Sequence, residues 1–134
     1  MLVPAGMLVI LILGAIAVDS AAAFMAQREL INQAAAIAND AVTRAIPAEG
    51  LQAGASASPD PAVVDRMVRE SLVGRRIGGG TVRAEDIDVQ VEGQVVRIRA
   101  SEDVPKVFAT AVPGAPRSAR VRATVSAEVR FRQS

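Results

Sequence analysis

The first 46 residues carry the hydrophobic pattern that dominates the chain. Residues 1–18 contain no charged side chain, and ten of these 18 are Leu, Ile or Val. As a helix, this stretch would be about 27 Å long, close to the ~30 Å of a bilayer core. The helical pattern continues to Ile46, and Pro47 then disfavours further helix. The pattern therefore predicts one long helix over 1–46, with about residues 1–26 embedded in a membrane.

Beyond Asp19 the predicted helix becomes amphipathic. Its apolar positions recur at steps of three and four residues, which places them on one face of a helix. Because most of them are alanine, this face predicts close packing against the helices of other subunits. The seam consists of Leu30, Ala34, Ile37, Ala41 and Ala45, and it is widened by Phe24, Ile31, Ala35, Ala38, Val42 and Ile46.

Small residues also occur in the part of the helix that is predicted to lie in the membrane. Gly14 permits close approach of a second helix, and Ala17 and Ala21 have the small-xxx-small spacing of tight helix–helix contacts. The alternative is that alanine is simply a good helix former.

Asp19 is the first charged residue of the chain. A carboxylate at the edge of an apolar span is costly and is usually functional. One interpretation is a polar contact that sets the register between packed helices. The other is that Asp19 marks the outer boundary between membrane and water.

A cleaved signal peptide is an alternative for residues 1–23, since Ala21–Ala23 could serve as a cleavage site. No positively charged region precedes the apolar run, however, and the helical pattern continues past the site. We therefore expect a retained anchor. No Lys or Arg precedes the apolar run, so the positive-inside rule does not give the orientation, and the head is placed outside the cytoplasm by elimination.

The second half of the chain predicts a small head. Residues 47–59 have the composition of a linker, and Asp60-Pro61 is an N-cap followed by proline at the first helical position. A short helix should run from there to about Val73. Gly78-Gly79-Gly80 is expected to be a flexible joint and a weak candidate for a phosphate cradle, because no Lys-Ser/Thr follows it. The apolar face of the short helix comprises Val64, Met67, Val68 and Leu72.

Two short strands follow, joined by a predicted turn at Glu92-Gly93. This turn would place Asp88 opposite Arg97, and Asp86 opposite Arg99, as ion pairs on the outer face of a sheet. A last strand, residues 119–132, alternates apolar with polar side chains. The predicted fold class is α+β: a long N-terminal transmembrane helix, then a head over 60–134 with one short helix and an antiparallel sheet of three or more strands.

Composition narrows the chemistry. The 134 residues include no Cys and no His, and the net charge is +1. We expect no disulfide, no cofactor, no metal site and no catalytic site, because the commonest ligands and general bases are missing. The outward arginines lack the interleaved aromatics of a nucleic-acid surface. We therefore expect neither nucleic acid nor a small-molecule substrate as a partner.

Several of these residues together resemble the N-terminal helix of TadE/TadG-like proteins of the tight-adherence (Tad) pilus system. The similar features are an Asp that ends the apolar run, then an aromatic residue, an Arg, a Leu and an Ala-rich stretch with Asn and Asp. The segment 104–108 and the closing strand resemble the family's small β-region. In this sequence the helix positions are Asp19, Phe24, Arg28, Leu30 and residues 32–45.

The resemblance implies a minor pilin or pseudopilin-like component of a Tad-type pilus or its assembly apparatus. Its partners would be the membrane and other pilus subunits or copies of itself, and its location the cell membrane or a surface filament. The helix pattern and the resemblance together give these predicted assembly residues: Gly14, Ala17, Asp19, Ala21, Phe24, Arg28, Leu30, Ala34, Ile37 and Ala41. Type IV-like pilins usually carry Glu at the fifth position of the processed chain, whereas Ala5 stands here. The alternative is a single-pass anchored extracytoplasmic binding domain that does not polymerise.

Overall fold

The computed structural model describes residues 2–47 and 58–129 of the chain. Over these ranges the protein is α+β, as predicted, with a long helix followed by a head that contains a second helix and a three-stranded antiparallel sheet. In chain order the elements are α1 (Leu2–Arg44), α2 (Pro61–Leu72), β1 (Arg76–Ile77), β2 (Gly80–Thr81), β3 (Ile87–Glu92), β4 (Val95–Pro105) and β5 (Ser118–Glu128), with 3₁₀ turns at Ala84–Asp86 and Ala109–Ala111.

Helix α1 is continuous past Asp19 and ends at Arg44, two residues before the predicted end. The Ala45 carbonyl accepts a hydrogen bond from the Asp60 amide at 2.9 Å, so α2 begins beside the end of α1. Residues 48–57, most of the predicted linker, lie outside the described residues.

Helix α2 begins as its sequence predicts. The Asp60 side chain accepts a hydrogen bond from the Ala62 amide at 2.8 Å, and a proline occupies the first turn. The helix ends at Leu72, one residue earlier than predicted. Val64, Val68 and Leu72 are buried, while the fourth residue of the predicted face, Met67, is half-buried.

The triple glycine forms a tight hairpin, not the flexible joint that we expected. Ile77 pairs with Gly80, and the loop between them is Gly78-Gly79. Both loop residues have positive φ, 56° and 90°, as a type I′ hairpin turn requires. A Cβ on Gly78 would collide with the side chain of Ala26, so glycine also permits the hairpin to lie directly on α1.

The main sheet is an antiparallel meander in the order β3-β4-β5. Its β3–β4 register is offset by two residues from our prediction, which was wrong on this point. Glu92 pairs with Val95, so the loop is Gly93-Gln94. Gly93 has a φ of 60° and stands at the first loop position, where a type II′ turn needs glycine. The offset leaves every side chain on its predicted face but gives it a different partner.

One face of the sheet packs against both helices, and the other faces solvent. On β4 the buried residues alternate strictly, and on β5 Val121, Ala123 and Ala127 point to the same side. Residues 130–134, which include the predicted last strand positions Phe131 and Arg132, lie outside the described residues. The resulting core contains mostly Ala and Val on α1, α2 and the sheet, and few larger side chains.

Candidate membrane anchor and assembly surfaces

The first candidate site is the part of α1 before Asp19, which we call the lower part of the helix. Large apolar side chains there are exposed; Leu11 and Ile10, for example, are each 70% exposed. The helix is long and apolar enough to cross a membrane, and only 6% of its most apolar window is buried within the protein. A core helix of a soluble protein would be mostly covered. The exposed apolar surface is therefore compatible with a transmembrane anchor.

Above Asp19 one face of α1 is covered by the protein's own head. Leu30 and Ala34 are fully buried, and Ala26 is 1% exposed. Buried positions recur every three or four residues, so they form one stripe. We call this stripe the covered seam; it comprises Ala26, Leu30, Ala34, Ala38, Ala41 and Ala45.

The covered seam corrects the expectation that the alanine-rich face packs against other subunits. Leu30, Ala34 and Ala41 are buried within the chain itself, where α1 packs against β4, β5 and α2, and Ile37 is half-buried against the same core. Alanine is needed because it lets the sheet and the hairpin approach the helix backbone closely. A sequence pattern reports that a face must be covered, but it does not say by which chain.

The remaining predicted assembly residues share a different face. Gly14, Ala17, Ala21, Phe24 and Arg28 are all exposed. Their spacing of three and four residues places them on one stripe, which points away from the covered seam. Phe24 is 66% exposed, although the sequence pattern had assigned it to the seam. We call these five residues the exposed stripe.

Asp19 joins the head to the helix. Its carboxylate accepts hydrogen bonds from the backbone amides of Val107, at 2.9 Å, and Phe108, at 3.3 Å. These amides precede the 3₁₀ turn Ala109–Ala111, in the loop between β4 and β5. The carboxylate thus satisfies two backbone N–H groups of this loop through charge-assisted hydrogen bonds. In this structure Asp19 therefore has an intramolecular contact, at the height where the exposed apolar segment ends.

The predicted ion pairs are rearranged by the change in register. Asp88 lies opposite Arg99, and their closest atoms are 3.6 Å apart. Arg97 lies opposite Gln90 instead of Asp88. Asp86 belongs to the 3₁₀ turn before β3 and pairs with Arg120 of β5. The predicted pairs Asp88–Arg97 and Asp86–Arg99 were therefore wrong, although all four residues lie toward the solvent face of the sheet.

Charges of both signs line a shallow cleft of about 360 Å³ on this outer face of the sheet. The Asp86 carboxylate accepts hydrogen bonds from Arg120 and from Ser101, the latter at 3.3 Å. The carboxylates are thus neutralised by arginine, as expected of a solvated, salt-bridged sheet face. Among the described residues no group of three or more His, Cys, Asp or Glu side chains is arranged to hold a metal ion.

Glu102 is a buried carboxyl that our sequence analysis did not single out. It is 1% exposed, and neither carboxylate oxygen has a hydrogen-bond partner among the described residues. Burial raises its pKa; the charges of Glu29 and Asp103 act in the same direction, and the nearby Ile77 amide opposes them. The alternation along the strand does indicate that Glu102 is buried, because Glu102 lies between the inward positions Ala100 and Val104.

Comparison of the chain with protein-family models, with curated proteins and with solved structures finds no match.

Proposed function

We propose that the protein is a membrane-anchored structural subunit, a minor pilin or pseudopilin-like component of a Tad-type pilus or its assembly apparatus. The lower part of α1 crosses the cytoplasmic membrane, the head is extracytoplasmic, and helices of neighbouring subunits pack on the exposed stripe. The observation that carries the proposal is the division of α1 into two opposite faces, of which only one is covered by the head.

Physical chemistry supports contact at the exposed stripe. Gly14, Ala17 and Ala21 present almost no side chain, so another helix can approach the backbone closely, as in membrane helix pairs. Phe24 continues the stripe above the level of Asp19, and its phenyl ring is 66% exposed, so a covering helix would remove this apolar area from solvent. A neighbouring helix would cover both parts at once.

Single-cysteine crosslinking in liposomes tests this packing, because the natural chain contains no cysteine. We expect Ala17→Cys and Ala21→Cys in the full chain to form disulfide-linked dimers on oxidation. Ile16→Cys is the matched control, since Ile16 lies at the same depth but faces the groove between α1 and the β4–β5 loop. Equal crosslinking at all three positions would indicate random collision, and none at Ala17 or Ala21 would contradict the proposal.

Polymerisation itself needs a cellular test. Electron microscopy of sheared surface filaments, with mass spectrometry of their subunits, should find this chain in the filaments. The substitution Ala21→Trp should remove it from them, because a bulky ring at an exposed position blocks the stripe without disturbing the head.

The second candidate is a single-pass anchor whose head binds a partner and never polymerises. It is favoured by the covered seam, since above Asp19 that face of α1 is already buried within the chain. Absence from filaments together with a monomeric detergent extract would support this alternative.

A further inference from the structure

The loop between β4 and β5 has an apolar surface that the fold does not bury. Its ten residues 107–116 carry no charge, and they stand between Lys106 and Arg117. The side chains of Val107, Val112 and Phe108 are 65%, 48% and 42% exposed. Large apolar side chains clustered in this way mark a binding surface.

The loop lies beside the segment of α1 that is a candidate membrane span. Asp19 holds the Val107 and Phe108 amides, which fixes the start of the loop at the end of the uncharged helical segment. From there the loop borders a mostly apolar groove of about 1130 Å³, whose other wall is α1, including Leu11 and Ala15. The groove is therefore continuous with the exposed apolar surface of the helix.

Two cations stand at the upper rim of this surface. Lys106 and Arg117 are adjacent, because the Lys106 amide donates to the Arg117 carbonyl at 2.9 Å. Neither side chain forms an ion pair among the described residues. An apolar surface topped by free cations matches the layering of a bilayer leaflet, in which acyl chains lie below anionic headgroups.

We propose that the β4–β5 loop is a second membrane contact, which seats the head on the lipid surface with Phe108 and Val112 among the acyl chains. This inference rests on the proposed membrane anchor and adds to it a fixed position of the head. Lys106 and Arg117 interact with anionic headgroups, and Asp19 couples the loop to the helix so that the two apolar surfaces enter the bilayer together.

Spin-label depth measurements on the full chain in liposomes test the proposal. The Val112→Cys variant carries the label in the loop, and Glu92→Cys is the control at the distal end of the head, ~33 Å away along β4. Leu11→Cys reports on the span. Accessibility to oxygen and to a water-soluble nickel reagent gives the depth of each label in vesicles of phosphatidylcholine with and without phosphatidylglycerol.

We expect the label at Val112→Cys to lie about 5–10 Å below the phosphate level, the label at Leu11→Cys deeper, and the label at Glu92→Cys in water. Adding Phe108→Ser should make the Val112→Cys label shallower, because the main apolar contact is lost. Adding Lys106→Gln and Arg117→Gln should make it shallower only in vesicles that contain phosphatidylglycerol. Thermal unfolding like that of the natural chain confirms that the variants fold; Phe108, Val112 and Arg117 are exposed and Lys106 is half-buried.

Three results would overturn the proposal. If the Val112→Cys label is in water while the Leu11→Cys label is deep, the loop contact is wrong and the anchor stands. If both labels are in water, the anchor itself is wrong. If the loop label is shielded from both reagents and couples magnetically to a label on another molecule, a second copy of the chain covers the groove instead of lipid.

Discussion

Both halves of α1 have apolar surface, yet the apolar side chains of the two halves differ in size and in their neighbours. Below Asp19 the helix presents Leu, Ile and Val side chains on every face, and these are exposed. Above Asp19 the buried apolar residues are mainly alanine and lie on the face beneath the head, while Ala21 and Phe24 are exposed. Lipid tails pack around bulky side chains from all directions, whereas a sheet must approach a helix closely on one side.

This difference suits one continuous helix to two environments, the proposed bilayer and the folded head. Bulky aliphatic side chains favour transfer into a bilayer, and small side chains permit contact with a folded domain. The transition coincides with Asp19, whose carboxylate binds the amides of the β4–β5 loop. The predictions below test whether the two halves respond differently to the same changes.

The largest effect should come from removing a leucine side chain in each half. Leu30→Ala is expected to lower the free energy of unfolding of the head by about 2–5 kcal/mol, because it leaves a cavity at a fully buried position. Leu11→Ala should leave head stability unchanged, since Leu11 is 70% exposed. Chemical denaturation in detergent micelles measures both; equal effects would show that the halves are not distinct.

The converse change enlarges an alanine. Ala26→Leu should destabilise the head by about 1–3 kcal/mol, because Ala26 packs against Gly78 and has no room for extra methyl groups. Ala21→Leu, on the exposed stripe, is the matched control and should not change head stability. The same denaturation experiment applies, and an unaffected Ala26→Leu variant would argue against close packing of the hairpin on α1.

Removing the junction between the halves should have a local effect. Asp19→Ala deletes the acceptor for two backbone amides, so the loop should open more readily, by about 1–2 kcal/mol. Hydrogen exchange of the Val107 and Phe108 amides should accelerate, while exchange in β4 and β5 stays as in the natural chain. Unchanged exchange at both amides would contradict the contact.

Glu102 should make the stability of the head depend on pH. Its pKa is raised in the folded state by burial and by the charges of Glu29 and Asp103, so the folded protein binds this proton more tightly than the unfolded chain does. The free energy of unfolding should therefore fall as pH rises from the unfolded pKa of the carboxyl to its folded pKa, and stay low above it.

Glu102→Gln removes this pH dependence. The neutral amide costs less to bury than a carboxylate, so the variant should be more stable than the natural chain at neutral pH by roughly 1 kcal/mol. Glu92→Gln is the control, because Glu92 is exposed and its charge is not among those that raise the Glu102 pKa. Denaturation curves from acid to neutral pH measure this difference. Parallel pH profiles for the natural chain and Glu102→Gln would show that Glu102 does not cause the pH dependence of head stability.

The smallest predicted effect concerns the sheet register. A double-mutant cycle on Asp88 and Arg99 should give a coupling of about 0.2–1 kcal/mol, typical of exposed ion pairs. The cycle on Asp88 and Arg97 should give none, because Arg97 lies opposite Gln90. Coupling in the second cycle alone would restore the register that we predicted from the sequence.

Much of this architecture could be predicted from local patterns. The long helix, the Asp60 cap of α2 and the alternating strands depend on neighbouring residues, whose preferences are visible in the sequence. The hairpin register was missed by two residues because Glu92-Gly93 and Gly93-Gln94 are both plausible loops. Only the position of glycine within the turn distinguishes them.

The sequence by itself determined that α1 is long, that its first 18 residues are uncharged and apolar, and that an alanine-rich face above Asp19 must be covered. Only the tertiary structure decided what covers it. Hydrophobic periodicity indicates which surface must be removed from solvent, but it does not indicate which partner covers that surface. Here the head packs on the covered seam and Asp19 binds the β4–β5 loop. The lower part of α1 and the exposed stripe remain uncovered within the chain.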